Sequence, residues 1–242
     1  LLLSLIAGMA TTIGAAIALV VKHFSGKTLS VLLGFAAGVM ITVSFVELYA
    51  SSIETIGMVR ASLAFFSGFG IIFLVDVLVP HEYETEAADE QAAQLQRAGV
   101  LTAVGIAIHN LPEGLVVLSG AATSEKLGLL LTIAIAVHNI PEGIAVSVPI
   151  AAATGNRMKA FMYSFLSGLA EPVGALLGAL VLIHVMTEVV NAAMLAGVGG
   201  LMVFISLDEL LPTAHRYGEA HAATIGVLAG MAVMAATLAV LG

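Results

Sequence analysis

The chain has 242 residues, of which 60% are hydrophobic and only 10% are charged, whereas a soluble domain usually carries about 25% charged residues. This composition excludes a soluble globular protein, and the absence of cysteine excludes disulfides and thiolate metal sites. The net charge of −8 says little about partners, because much of the acid lies in one loop and inside apolar segments, and no nucleic-acid partner is predicted.

Eight apolar segments are each long enough to cross a bilayer as a helix, which takes about 20 residues. The alternating pattern of a membrane β-barrel is absent, and in lipid a helix satisfies its own backbone hydrogen bonds. In chain order the predicted spans are residues 1–21, 29–50, 58–79, 99–121, 127–152, 159–185, 189–211 and 222–242. The sequence therefore predicts an all-α, polytopic membrane bundle, a single domain of residues 1–242 with its longest loop at 80–98.

The first of these segments is predicted to be a membrane span rather than a signal peptide, because no basic residues precede its apolar run. The chain opens on Leu1 and not on methionine, so we expect a native N-terminal stretch to precede it.

The basic residues predict how the bundle lies in the membrane. If the N-terminus is outside, six of the eight Lys and Arg residues fall on connections inside the cell: Lys22, Lys27, Arg97, Arg157, Lys159 and Arg216. Arg60 and Lys126 then fall outside. Because Lys and Arg concentrate in cytoplasmic loops, both termini are predicted to be outside and the loop at 80–98 to be cytoplasmic.

Several acidic residues lie within the predicted spans. Glu113, Glu142 and Glu171 lie deep in the fourth, fifth and sixth spans. Others lie nearer the ends of their spans: Glu47 towards the outer end of the second, Asp208 and Glu209 towards the inner end of the seventh. No Lys or Arg in the sequence lies deep enough to neutralise the three central carboxylates. They must be protonated, face water or hold a cation, and such residues inside a membrane are functional candidates.

Two of these carboxylates belong to a repeated motif, HNLPEG at 109–114 and HNIPEG at 138–143. The His and Glu of each motif are four residues apart and lie on one face of a helix, with the Asn beside them. The short connection TSEK makes the fourth and fifth spans antiparallel neighbours, so their polar faces are predicted to meet. Imidazole nitrogens and carboxylate oxygens are ligands of Zn²⁺ and other first-row divalent ions.

Each motif also contains a proline, Pro112 or Pro141, and Glu171 is followed by Pro172. A proline inside a helix has no N–H to donate, so the carbonyl four residues earlier loses its partner. Inside a membrane such a carbonyl is tolerated where it lines a cavity. The prolines therefore favour a polar cavity at the motifs.

The residues alone leave three interpretations open. In the first, His and Asn form hydrogen bonds between helices and the Glu side chains stay protonated, so the cluster only holds the bundle together. In the second, the cluster is an intramembrane metal-dependent hydrolase with Glu as the base, although the zinc-protease pattern His-Glu-x-x-His is absent. In the third, it conducts metal ions, as a carrier, as a metal-selective channel or as a proton-coupled exchanger in which the Glu side chains relay protons. The metal motif is duplicated on two helices, which suits a path for ions better than a catalytic site on one helix face. We therefore predict a transporter that is not an enzyme.

At these motifs the chain resembles the ZIP (Zrt/Irt-like) family of divalent metal transporters, and most of all its prokaryotic members. The resemblance covers essentially the whole chain and includes GFAAGVM at 34–40, GLAEPVGA at 168–175, SLDELLP at 206–212 and HRYGEAH at 215–221. It implies eight spans with both termini outside, a longer cytoplasmic loop after the third span, and an inverted repeat of spans 1–3 and 6–8 around spans 4–5.

The resemblance also implies a two-metal centre. One metal position corresponds to His109, Glu113, His138 and Glu142, with Met40 nearby as a soft ligand. The second corresponds to Asn110, Glu113, Asn139, Glu142 and Glu171. Glu113 and Glu142 would then bridge the two ions. The metal path would run from Glu47 on the outside to these exit residues: Asp208, Glu209, His215 and Glu219.

The expected cargo is a divalent transition metal. A site with oxygen ligands and two imidazoles can bind Zn²⁺, which is the first candidate, and also iron, manganese, cobalt or cadmium. The metal is the transported substrate, and no organic cofactor is predicted. The expected partners are therefore metal ions and the lipid bilayer of the cell (inner) membrane, with a homodimer left open.

The loop HEYETEAADEQ, at 81–91, has two interpretations: a cytosolic metal sensor or a solvated acidic linker. Its density of acidic residues favours the linker. Asp76, just before this loop, is predicted to be a water-facing end of the third span.

Overall fold

A computed structural model describes residues 1–20, 25–78, 87–182, 187–216 and 221–241. In these parts of the chain, eight helices are long and apolar enough to cross a membrane, which confirms the all-α class and the eight predicted spans. Six spans run as Leu2–Val20, Met58–Leu78, Ala87–Thr123, Glu125–Thr154, Arg157–Leu177 continued by a π-helical turn Gly178–Leu182, and Ala222–Leu241. The second and seventh each contain a π-helical stretch: Gly26–Thr42, Val43–Tyr49 and Ala50–Ile56, then Glu188–Phe204, Ile205–Leu210 and Leu211–Arg216.

Local signals explain where several spans begin and end. Side-chain oxygens of Ser25, Asn156 and Thr187 accept hydrogen bonds from backbone N–H groups three residues later and so cap the starts of the second, sixth and seventh spans. Gly57 has φ +79°, a conformation that suits glycine, and it ends the second span.

Three predicted boundaries were wrong, all at polar stretches. The second span continues through residues 51–56, the fourth begins at Ala87 instead of residue 99, and the seventh continues to Arg216. Residues 87–98 are rich in Ala and Gln, which favour helix, while their Gln and charged residues lower the local hydropathy. Part of the predicted loop at 80–98 is therefore helical, while residues 79–86 lie outside the described residues.

The fourth and fifth spans form the centre of the bundle. They are joined at Ser124 and pack against each other, and the first and sixth spans pack against both. The second span packs against the eighth, and the third against the seventh. The repeated motif therefore lies between two helices that pack against each other and against the first and sixth spans.

The glycine that ends each motif allows a close helix contact. A side chain on Gly114 would collide with the backbone carbonyl of Glu171 in the sixth span, and one on Gly143 with the carbonyl of Thr11 in the first. Small residues allow membrane helices to approach closely in this way. These glycines therefore position the motif against the first and sixth spans.

Gly143→Ala is expected to destabilise the bundle by about 1–3 kcal/mol, the usual cost of overpacking a close contact. The added methyl group meets backbone atoms of Thr11 and Ala15, which cannot rotate away. Gly70→Ala is the matched control, since a methyl group at that position would meet no described atom of another span within 4 Å. The measurement is the unfolding midpoint of both variants in a denaturing-detergent titration. Equal midpoints would contradict the close contact.

Spans 1 and 2 share residue patterns with spans 6 and 7. Five residues of the first recur at the same spacing in the sixth: Ser4, Gly8, Ala10, Gly14 and Ala15 match Ser164, Gly168, Ala170, Gly174 and Ala175. Five of the second recur in the seventh: Gly38, Met40, Ser44, Glu47 and Leu48 match Gly200, Met202, Ser206, Glu209 and Leu210.

The matched parts of spans 2 and 7 also share their local structure. Both become π-helical, at Val43–Tyr49 and Ile205–Leu210. The Ser44 hydroxyl donates to the Met40 carbonyl at 2.7 Å, and Ser206 donates to Met202 at 2.8 Å. The inverted repeat of spans 1–3 and 6–8 stays a prediction, and these matched positions support it.

Candidate metal centre

The two motifs meet inside the bundle, as their spacing predicts. His109 and Glu113 on the fourth span and His138 and Glu142 on the fifth are each at most 3% exposed. Both helices continue through the motif prolines, so each His and Glu pair lies one turn apart on the same face.

The side chains of the two helices touch. The Nε2 atom of His109 lies 3.1 Å from Glu113 Oε1 and 3.0 Å from Glu142 Oε1. The Nε2 atom of His138 lies 2.7 Å from the same Glu113 oxygen. Glu113 therefore lies between both imidazoles, and its position joins the two motifs.

Several polar atoms of this cluster have no hydrogen-bond partner among the described residues. They include both carboxylate oxygens of Glu142, Glu113 Oε2 and both ring nitrogens of His109. The contacts of His109 are therefore short but poorly aligned for hydrogen bonds. A buried polar group without a partner is costly, which weakens the interpretation of the cluster as structural hydrogen bonds alone.

The geometry suits a first-row divalent ion. Ligand atoms of His109, Glu113 and His138 all lie within 4.8 Å of one another. Zinc–nitrogen and zinc–oxygen bonds are about 2.0–2.2 Å long, so ligand atoms around one ion are separated by less than about 4.4 Å. A small adjustment of side chains would bring three donors to one ion.

The asparagines attach the motifs to the flanking spans. The amide of Asn110 donates to the Ser167 carbonyl at 2.9 Å, and that of Asn139 donates to the Ala7 carbonyl at 2.9 Å. Asn139 also donates to Glu171 Oε2 at 2.8 Å. These bonds engage the amide nitrogens and leave the buried Oδ1 atoms without a hydrogen-bond partner among the described residues. The amide oxygens and Glu171 Oε1 are thus available to a cation.

The second span contributes two predicted residues near the motifs. Met40 is 1% exposed and packs in the apolar core with Ile144 and Ala145 of the fifth span. Glu47 is half-buried, and its carboxylate lies within electrostatic range of His138 and Glu113. Glu47 therefore lies beside the cluster, while the role of Met40 as a ligand stays a prediction.

The predicted exit residues lie apart from the cluster. Asp208 is exposed, Glu209 is buried, and their carboxylate oxygens lie within 4.8 Å of those of Asp76. His215 is exposed on the last turn of the seventh span, with Nδ1 2.8 Å from the Leu211 carbonyl oxygen. Glu219 and the loop residues 79–86 lie outside the described residues.

The prediction that Asp76 faces water was wrong. Asp76 is only 7% exposed and forms an ion pair with Arg97 of the fourth span. Arg97 also lies 3.4 Å from Glu209, so the seventh span has a basic partner. Sequence reasoning missed this cluster because it assigned Arg97 to the loop. The signal that could have found it is the helix-forming composition of residues 87–98.

Comparison with known proteins identifies the family. A family model described as ZIP Zinc transporter matches residues 79–238. The chain belongs to the ZIP zinc transporter family. Its relatives include proteins named Zinc transporter ZupT from Chlorobium phaeovibrioides (53% identical, covering 100% of this chain and 97% of the relative) and Streptococcus mutans (49%, 98% and 95%). A third, from Clostridium perfringens, is 46% identical over 98% of this chain and 94% of its own length.

Membership decides between the interpretations that the residues left open. Proteins of this ZIP family are transporters of metal ions, so this chain is a multi-pass membrane transporter and not a hydrolase.

Proposed function

We propose that this ZIP protein carries zinc into the cytoplasm through a two-metal centre between its fourth and fifth spans. The observation that carries the proposal is the convergence of His109, Glu113 and His138, whose ligand atoms lie within 4.8 Å of one another in a buried site. The relatives named zinc transporters make zinc the first candidate. The same donors also accept iron, manganese, cobalt or cadmium.

Two ligand sets share the bridging carboxylates Glu113 and Glu142. The first ion is held by these two with His109 and His138, and Met40 stands near it as a soft ligand. The second ion is held by the bridging carboxylates together with Asn110, Asn139 and Glu171. Support comes from the unpartnered oxygens of Glu142, Glu171 and both asparagines among the described residues. A cation among these atoms offsets the cost of burying their charge.

The ion enters past Glu47 and leaves past Asp208, Glu209, His215 and Glu219. The electrostatic proximity of Glu47 to His138 supports the first half of this path. The basic residues support the orientation of this path, because they predict that both termini lie on the outer side of the cell (inner) membrane and that the exit residues lie on the cytoplasmic side. A homodimer stays a prediction.

Transport by a carrier needs the centre to open to one side at a time. The first, fourth, fifth and sixth spans pack together, while the second packs with the eighth and the third with the seventh. Inverted repeats that meet at a midplane site commonly move as units in transporters. We infer that the four packed spans move together with the bound ions.

The test is zinc flux into sealed proteoliposomes with no organic substrate present. We expect uptake that saturates with zinc concentration and that iron, manganese, cobalt and cadmium reduce by competition. Empty liposomes are the control. A rate that rises without saturation would support the metal-selective channel instead, and no flux above empty liposomes would contradict transport.

Zinc binding is expected to weaken as pH falls. Coordination requires neutral imidazoles and ionised carboxylates, so protons compete with the ion for His109, His138, Glu113 and Glu142. The affinity should fall by about tenfold or more between pH 7.5 and pH 5.5, since four ligand groups are involved. The measurement is calorimetric titration of the detergent-purified protein at both pH values. An unchanged affinity would exclude these ligands.

A further inference from the structure

One basic side chain joins three spans at the end of the bundle predicted to be cytoplasmic. A terminal nitrogen of Arg97, on the fourth span, pairs with Asp76 Oδ1 of the third span. The other lies 3.4 Å from Glu209 Oε1 of the seventh. The side chains of Arg97, Asp76 and Glu209 are only 17%, 10% and 7% exposed. An arginine can engage two carboxylates at once because its guanidinium is planar and carries several donors.

A cavity of about 430 Å³ reaches this ion pair. Its lining includes Arg97, Asp208 and Glu209 with Arg216 and Thr213 of the seventh span. Asp208 and Arg216 are exposed, whereas Glu209 is buried. The lining of the cavity therefore includes surface residues together with the buried Glu209 and the Arg97 side chain that pairs with it.

The repeat between the second and seventh spans makes Glu209 the counterpart of Glu47. Both lie in a π-helical stretch, three residues after the matched serine. Glu47 interacts electrostatically with His138 and Glu113, whereas Glu209 interacts with Arg97. Two equivalent carboxylates thus face different partners: one faces the metal cluster and the other a fixed positive charge.

We propose that Arg97 is the gate residue at this end of the metal path. Its guanidinium takes the position of a cation among the carboxylates of Asp76 and Glu209, and by joining three spans it closes the route from the metal centre to the cavity. An ion leaving the centre competes with the guanidinium for the same oxygens, so its arrival opens the path. This role rests on the proposed transport function, and nothing in the family resemblance assigned it.

The test uses the accessibility of a single cysteine, since these 242 residues contain none. Ser206 is 0% exposed and lies about one turn before Glu209, further from the end of the seventh span at Arg216. Ser206→Cys changes one atom and reports whether a membrane-impermeant thiol reagent reaches past the gate. The reagent is added from the cytoplasmic side of inside-out vesicles, without metal.

With Arg97 present, we expect slow labelling of the cysteine. Arg97→Gln should increase the labelling rate by about tenfold or more, because breaking a buried ion pair is strongly destabilising for the closed arrangement. Arg97→Lys should give an intermediate rate, since an ammonium is a point charge. Arg216→Gln is the matched control: it removes the same charge from the same cavity and should leave the rate unchanged.

Equal rates with and without Arg97, or an equal increase in Arg216→Gln, would overturn the gate. If Arg97→Gln does not fold, the double variant Asp76→Asn with Arg97→Gln removes both partners together and is expected to give the same increase. The labelling needs neither metal nor uptake. A labelling result that contradicts the gate therefore does not contradict zinc transport. Absence of zinc flux, in turn, does not change what the labelling says about the gate.

Discussion

Replacing Glu113 and Glu142 together by glutamine is expected to reduce zinc uptake by more than about 100-fold, to the level of empty liposomes. Glutamine keeps the size of each side chain and removes the two charges that contact His109 within the cluster. Because both carboxylates belong to both proposed ligand sets, neither ion retains a bridging oxygen with negative charge. The measurement is the initial rate of zinc uptake into proteoliposomes.

Glu54 and Glu125 provide the matched control. Both are exposed, so changing both to glutamine removes the same charge from the chain without touching the cluster. Uptake by this control should equal that of the natural protein. Full uptake by the Glu113 and Glu142 variant would contradict the proposed mechanism, whereas equal loss in both variants would indicate that net charge, and not coordination, matters.

The central cluster could be predicted because every step of its geometry is local. Four residues separate His109 from Glu113, and one helical turn brings them onto one face. The short connection at Ser124 then makes the two spans neighbours. The prediction then needs only one long-range assumption, that the polar faces of the two spans face each other. The cost of exposing these polar side chains to lipid favours that orientation.

The ion pair of Arg97 could not be predicted in the same way. Hydropathy counts polar residues against a span, so it predicts a loop at residues 87–98, where the chain in fact forms helix. Two of its partners, Asp76 and Glu209, are far apart in sequence, and no local period relates them to Arg97. Such a contact depends on how three helices pack, which a single sequence specifies only through the whole fold.

The asparagines of the two motifs are held in nearly the same way, and one difference beside them is informative. Asn110 and Asn139 donate to carbonyls at matched positions, Ser167 in the sixth span and Ala7 in the first. The position that matches Glu171 in the sixth span is Thr11 in the first. Thr11 has no carboxylate, so the first span contributes no charged ligand to the proposed second metal position. The sixth span contributes one, Glu171.

Glu171→Gln is therefore expected to lower the zinc bound at saturation from about two ions per chain to about one, because the first position keeps two imidazoles and two carboxylates. Thr11→Val is the matched control, since it changes the equivalent buried position without removing a proposed ligand, and it should keep both ions. The measurement is metal content by elemental analysis after equilibrium dialysis. Two ions retained in Glu171→Gln would remove Glu171 from the second site, and one ion in the natural protein would contradict the two-metal centre itself. Loss of either metal position could abolish uptake, so an uptake rate does not show which position is lost. The number of zinc ions bound per chain distinguishes the two positions.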